Sequence, residues 1–205
     1  MFLFELFENK GNVLVVYPGR FQPFHKGHRA VYDFLVKNYG HNNVFIATSN
    51  KVEPPKSPFS FADKQEFIKL TGINLDRVVE STQPYKAEEI TRNYDPTVTK
   101  LIFAVSEKDM AEDPRFKSWT KKDGSPTYFQ PMPADTTAMQ SFDRHGYIMV
   151  VPTFNFTVLG QPMRSATEVR AQFASANPAT QKKIVMDLFG SFNENVLRIM
   201  QSKIK

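Results

Sequence analysis

The residues best placed to do chemistry lie in one run, Gly19-Arg20-Phe21-Gln22-Pro23-Phe24-His25-Lys26-Gly27-His28. A β-branched apolar stretch, Val13–Tyr17, precedes it. Gly27–Tyr39 follows, with Ala30, Val31, Phe34 and Leu35 at helical spacing. The run therefore sits where a strand hands over to a helix N-terminus, whose N–H groups and positive dipole end bind phosphate. Gly19 and Gly27 let the backbone approach a ligand closely. His25 and His28, three apart, share one side of a helical turn. They offer cationic or hydrogen-bonding rings to charge that builds on a phosphoryl group. A zinc site does not fit, because His41 and His145 are the only other histidines, no His-Glu-x-x-His spacing occurs, and there is no Cys.

A second run, Arg164-Ser165-Ala166-Thr167-Glu168-Val169-Arg170, opens a helix predicted over Ser165–Ala176. Ser165 and Thr167 can cap that helix and give hydroxyls to phosphate. Arg170, one turn on, can fork onto phosphate oxygens. Taken alone, the run also reads as a plain capped amphipathic helix.

Gly-Arg-Phe-Gln-Pro-Phe-His-x-Gly-His resembles the signature of the HxGH nucleotidyltransferase superfamily. Its wording is most similar to nicotinamide mononucleotide adenylyltransferases of the archaeal and bifunctional bacterial types. Phosphopantetheine adenylyltransferases and cytidylyltransferases are more distant relatives. Class I aminoacyl-tRNA synthetases share a His-x-Gly-His element, but this chain is short for one and has no clear Lys-Met-Ser-Lys-Ser segment. The run at Arg164 resembles the family's Ile-Ser-Ser-Thr-x-x-Arg, about 140 residues further along, with Arg164 for Ile and Ala166 for one Ser. Asn50–Phe67 resembles the family's loop and helix after strand two, with Asp63-Lys64 where a Glu-Arg pair is usual. Stretches Lys108-Asp109…Arg115-Phe116 and Gly124…Tyr128-Phe129 are similar to phage-encoded nucleotidyltransferase-like proteins.

The resemblance implies that a phosphate on an acceptor attacks the α-phosphorus of a nucleoside triphosphate and that pyrophosphate leaves. It implies AMP from ATP, nicotinamide mononucleotide as acceptor, and Mg²⁺ carried on the triphosphate. A cytidylyltransferase using CTP and a phosphopantetheine adenylyltransferase stay open, as does a non-catalytic nucleotide- or RNA-binding module. By the same resemblance His28 stabilises the α-phosphoryl transition state and His25 holds the outer phosphates. Arg170, Ser165 and Thr167 hold the β- and γ-phosphates, and the Gly19-Arg20-Phe21 backbone lines the pocket beside Gly27. Lys56 would neutralise the leaving group, although it reads equally as a solvated loop lysine. Glu107 and Asp109, after the strand Leu101–Val105, are candidates for ribose or metal contacts and read also as solvated turn residues.

The elements that must position these groups alternate. Strands are expected at Val13–Tyr17, Val44–Thr48, Arg77–Glu80, Leu101–Val105 and Tyr147–Val151. Ser60-Phe61-Ala62-Asp63 resembles a capping box opening a helix that ends near Gly72. Ala179–Lys203 is expected to be helical, with Pro178 in its first turn and Gly190 as a break. The Ser106–His145 region is expected to be loops with a hairpin at Lys122-Asp123-Gly124. The N-terminal Phe2, Leu3, Phe4, Leu6 and Phe7 are expected to pack as an amphipathic piece. The pattern implies α/β: a Rossmann-like parallel sheet with helices on both faces and a C-terminal helical appendage. One domain over 1–205 is expected, with its core over about 12–176 and the appendage over about 177–205.

Composition fits that reading. The 205 residues include 26 Lys+Arg and 21 Asp+Glu, a net charge of +5, with 41% hydrophobic residues. This is a globular composition, not a disordered one. Absence of Cys excludes a disulfide scaffold and suits a reducing, cytoplasmic setting. No apolar run approaches the roughly 18 residues of a membrane span, and the two Glu in MFLFELFENK argue against a signal peptide. The basic balance points to anionic partners. Lys121, Lys122, Lys182, Lys183, Arg198, Lys203 and Lys205 lack aromatic interleaving, so nucleic acid is not the expected partner. A homo-oligomer is compatible with the sequence.

Overall fold

A computed structural model describes residues 12–113, 116 and 118–205; the expected packing of Phe2–Phe7 lies outside them, as does Arg115. In chain order the elements are β1 (Val13–Pro18), α1 (Lys26–Tyr39), β2 (Val44–Thr48), α2 (Phe61–Leu70), β3 (Val78–Glu80), α3 (Glu88–Thr91), β4 (Lys100–Val105), α4 (Glu107–Glu112), β5 (Phe129–Pro131), β6 (Gly146–Val150), β7 (Phe156–Val158), β8 (Gln161–Met163), α5 (Ala166–Ser175), α6 (Pro178–Phe189) and α7 (Glu194–Lys203). They group into two compact units. Unit 1 takes the described part of Met1–Pro18, Tyr32–Ala47 and Gln83–Thr153; unit 2 takes Gly19–Val31, Thr48–Thr82 and Phe154–Lys205.

Unit 1 is built on a parallel sheet in the order β2-β1-β4-β6-β5. Val15 pairs with Val44 on one side and Ile102 on the other, and Leu101 pairs with Gly146. Leu14, Val15 and Val16 are fully buried, as are Ile102, Phe103 and Ala104. Strands buried on both faces read as unbroken apolar runs, which is why the sequence marks them. The fold is α/β and Rossmann-like, as expected. Ser106–His145 is a correction: it holds α4 and β5 besides loops. The helix starts where the Ser106 Oγ accepts the Asp109 N–H, yet six residues are too few to show a helical period. β5 ends on Pro131, a residue confined to edge strands. The expected turn near Lys122-Asp123-Gly124 is present, closed by the Gly124 N–H on Lys121 O at 3.0 Å and by the Lys121 N–H on Ser125 O at 2.7 Å.

Unit 2 is mainly helical. The Ser60–Asp63 capping box forms in both directions and starts α2. Lys203 of α7 is ion-paired with Asp63, so the last helix grips the first turn of α2. The Phe67 ring stacks on Phe189 of α6 with centroids 5.4 Å apart and meets Phe59 edge-on at 4.8 Å. Ile184, Val185, Leu188, Val196 and Met200 are buried. Each such side chain contributes about 1.5–3 kcal/mol by leaving water. Asn177 caps α6 with Pro178 at its first turn, and Gly190, at φ 81°, ends it, as the sequence indicates. The C-terminal helices are thus part of the core of unit 2. Among the described residues no helix is long and apolar enough to cross a membrane.

Candidate active site

The phosphate-site residues expected from the sequence, Gly19, Arg20, Phe21, His25, Gly27, His28, Lys56, Ser165, Thr167 and Arg170, fall in unit 2. His25 precedes α1 and its carbonyl accepts the Arg29 N–H at 2.9 Å, closing the helix's first turn. That turn stacks the His25 and His28 rings with centroids 3.7 Å apart and 26° between planes. Aromatic rings enclose the pair. Phe21 meets His28 edge-on at 5.0 Å, Phe24 lies 5.3 Å from it, and Phe156 of β7 stacks on the far face of His25 at 4.2 Å.

Burial pushes His28 down to about 3, and burial together with the His28 and Lys26 charges holds His25 well below the usual imidazole range. Both rings are therefore neutral near pH 7 and can offer hydrogen bonds rather than positive charge. The His25 Nδ1 accepts the Gly27 N–H at 3.2 Å, which puts that ring's proton on Nε2. The His28 Nδ1 is buried with no hydrogen-bond partner among the described residues. Such an orphan costs about 1–3 kcal/mol until a ligand pairs it.

Both glycines are explained by close approach. A Cβ on Gly19 would stand 2.5 Å from the Phe21 ring, and one on Gly27 would stand 2.9 Å from Phe156. Phe21 itself is buried and held at φ 44°, a left-handed conformation that costs an ordinary residue free energy and is common at ligand sites.

The two motifs meet through Arg170. Its Nη1 donates to the Gln22 carbonyl at 2.5 Å and its Nη2 to the Thr167 Oγ1 at 3.3 Å. A guanidinium has five N–H donors, so this leaves capacity for phosphate oxygens. Burial, with the Arg20 charge beside it, lowers the Arg170 pKa. Two crowded guanidinium groups gain from an anion between them. Ser165 caps α5, its Oγ accepting the Glu168 N–H at 3.3 Å. Thr167 is a correction: its hydroxyl receives Arg170 rather than capping the helix.

Lys56 is exposed, on a loop closed by Glu53 and Ser57, which exchange backbone hydrogen bonds at 2.8 and 2.7 Å. It lines a pocket of about 180 Å³ with Arg20, Gln22, Lys51, Glu53 and Lys64. Four of these are cationic, and the one carboxylate is paired to Lys51 at 2.8 Å. Lys64 is 1% exposed. Its ammonium donates to Thr48 Oγ1 at 3.0 Å and Ser49 O at 2.5 Å, and burial brings its pKa to about 8. Glu107 and Asp109 lie in unit 1 at the start of α4. Glu107 accepts the Thr153 hydroxyl at 3.2 Å, and Asp109 accepts the Ser106 hydroxyl at 2.7 Å. Among the described residues no group of three or more His, Asp or Glu stands close enough to share a metal ion.

The family described as cytidylyltransferase-like matches residues 16–171, most of the chain, and spans every expected site residue from Gly19 to Arg170. The chain belongs to the cytidylyltransferase-like family. Two curated relatives are nicotinamide-nucleotide adenylyltransferases. That of Sulfolobus acidocaldarius is 35% identical over 68 residues, 31% of this chain and 39% of the relative. That of Sulfurisphaera tokodaii is 35% identical over 63 residues, 30% of this chain and 37% of the relative. The matches thus span about two-fifths of these relatives. Among solved structures, a bifunctional NMN adenylyltransferase/ADP ribose pyrophosphatase from Francisella tularensis has a TM-score of 0.54 at 20% identity, covering 95% of this chain and 53% of that one. Plasmodium falciparum nicotinic acid mononucleotide adenylyltransferase has a TM-score of 0.51 at 11% identity, covering 94% and 96%. At these identities the likeness to the solved structures is one of fold.

Sequence reasoning does not single out Gln22, Lys64 or Phe156. Gln22 is 4% exposed and clamps the Phe59 backbone, Nε2 to O at 3.0 Å and N–H to Oε1 at 2.9 Å. Its place inside the first motif was the available signal. Lys64 falls where the family has Arg, which was a hint of its role. Phe156 sits in an unremarkable polar–aromatic stretch.

Proposed function

We propose that this protein is a nucleotidyltransferase that moves AMP from ATP to a phosphorylated small-molecule acceptor, nicotinamide mononucleotide, with release of pyrophosphate. The observation that carries the reading is the Arg170–Gln22 hydrogen bond, which joins both phosphate motifs beside the stacked histidines. The family match supports nucleotidyl transfer. The names of the archaeal relatives support the acceptor.

In this reaction an acceptor phosphate oxygen bonds to the α-phosphorus. The bond from that phosphorus to the bridging oxygen breaks, and the electron pair leaves with pyrophosphate. No covalent protein intermediate is needed; catalysis is positioning plus stabilisation of charge. His28, neutral and buried among Phe21 and Phe24, donates to the α-phosphoryl oxygens as charge grows there. His25 holds an outer phosphate through Nε2–H. Arg170 and Thr167 take β- and γ-oxygens, and Arg20, Lys56 and Lys64 receive the departing pyrophosphate. Mg²⁺ enters with the triphosphate as part of the substrate, held by phosphates and water.

The test is pyrophosphate release by the purified chain with ATP or CTP, each offered nicotinamide mononucleotide or phosphopantetheine. Release with ATP and nicotinamide mononucleotide is expected. No release in any combination, together with salt-sensitive RNA binding, would replace this reading with that of a binding module.

A further inference from the structure

The His25 ring is held on both faces, by His28 at 3.7 Å and by Phe156 at 4.2 Å. Phe156 begins β7, which pairs antiparallel with β8 through the two-residue turn Leu159-Gly160. Both turn residues have positive φ, 51° and 80°. That is the geometry of a type I′ turn, which suits Asn-Gly or Gly-Gly. Leu at the first position is strained and must be held by its surroundings.

One carboxylate does this. Asp187, on α6, accepts the Leu159 N–H on Oδ2 at 2.6 Å and the Lys26 Nζ on Oδ1 at 2.7 Å. Lys26 lies between His25 and Gly27 in the chain, so Asp187 ties the hairpin turn directly to the residue beside His25. The Gln172 Nε2 of α5 adds a bond to the Val158 carbonyl at 3.3 Å. Gly27 completes the fit, since a Cβ there would strike Phe156. A half-exposed ion pair alone is worth little. Here the same carboxylate also restrains a strained turn, and both its partners lead to one imidazole.

We propose that Asp187 is a positioning residue for the histidine pair: by gripping the Leu159 turn and Lys26 together it seats Phe156 flat on His25. The inference rests on the nucleotidyl-transfer reading above. It gives α6, which lies beyond the family match, a part in triphosphate binding through His25.

The experiment uses the full chain as wild type, Asp187→Asn, Asp187→Glu, Lys26→Met, Phe156→Leu and the Asp187→Asn/Phe156→Leu double variant. Pyrophosphate release gives KM for the triphosphate and kcat separately, and ¹⁵N NMR reports the histidine ring nitrogens. Asp187→Asn should raise KM on the order of tenfold, the cost of a sub-ångström misplacement of a binding group. It should also shift the His25 ring signals. Lys26→Met should move KM the same way by less, and Asp187→Glu should recover part of the loss. The double variant should be no worse than the worse single one, because both act through His25. A purely structural role would reduce the active fraction, lowering kcat at unchanged KM. That result, or unshifted His25 signals in Asp187→Asn, would overturn the proposal. If Asp187→Asn does not fold, Lys26→Met and Phe156→Leu decide it by the same two readouts. If wild type releases no pyrophosphate at all, the functional reading fails, and the His25 signals still decide the positioning claim.

Discussion

The Arg170 guanidinium donates to the Gln22 carbonyl at 2.5 Å across 148 positions of sequence. One bond therefore sets the distance between the helix α5 cation and the loop that leads into the histidines. The Gln22 side chain faces the other way and clamps Phe59, so a single residue connects α5, the motif loop and the segment entering α2.

Replacing Arg170 by Ala removes a charged donor and the tie on Gln22 at once. Hydrogen bonds to charged groups are worth about 1.5–3 kcal/mol. Triphosphate affinity by calorimetry should fall roughly ten- to a hundredfold, and Arg170→Lys should recover only part, because a point charge cannot fork. Unchanged affinity in Arg170→Ala would remove Arg170 from the site.

Gln22→Ala should act on stability. It leaves the buried Phe59 N–H and C=O unpaired, at about 1–3 kcal/mol for each orphaned group. The urea midpoint should fall accordingly. Gln22→Glu should recover little, since a carboxylate cannot donate to the Phe59 carbonyl.

The Lys64 ammonium titrates near pH 8, lowered by burial against the opposing pull of Glu80 and Asp63. It is charged below that pH and neutral above it. Pyrophosphate binding, measured by calorimetry from pH 7 to 9.5, should weaken through pH 8. Lys64→Arg should abolish the step, and a step that survives in Lys64→Arg would assign it to another group.

The histidine pair predicts acid lability. In the folded chain burial keeps His28 near 3 and His25 well below the usual range, while unfolded histidines bind protons below about 6.5. The unfolded state takes up the protons, so stability is full above pH 6.5 and falls as the pH drops toward the folded values. The urea midpoint should decline between pH 6.5 and 4.5, above the range where carboxylates dominate. His28→Gln should flatten that decline.

Much of this site is written in local sequence. His25 and His28 are legible because a helical turn is the only thing needed to stack them, and Ser60 and Asp63 because a capping box closes over three residues. The parallel strands are legible because burial on both faces leaves unbroken apolar runs, Val13–Val16 in β1 and Leu101–Val105 in β4. What escapes is set by distant packing. Lys64 looks like any helix lysine until Thr48 and Ser49 take its buried ammonium. Phe156 and Asp187 gain their meaning only when the hairpin meets α1 and α6, and neither three-residue β7 nor six-residue α4 is long enough to show a period. Thr167 reads as a cap because nothing local shows that Arg170 will turn back toward it.

The central claim is that His28 stabilises a phosphoryl transition state, and the most direct test is steady-state pyrophosphate release by purified His28→Ala with ATP and nicotinamide mononucleotide. The account predicts that kcat falls on the order of 10²–10³-fold, the size of removing one transition-state donor, in a protein that remains folded. A folded His28→Ala variant that releases pyrophosphate at the wild-type rate would contradict it.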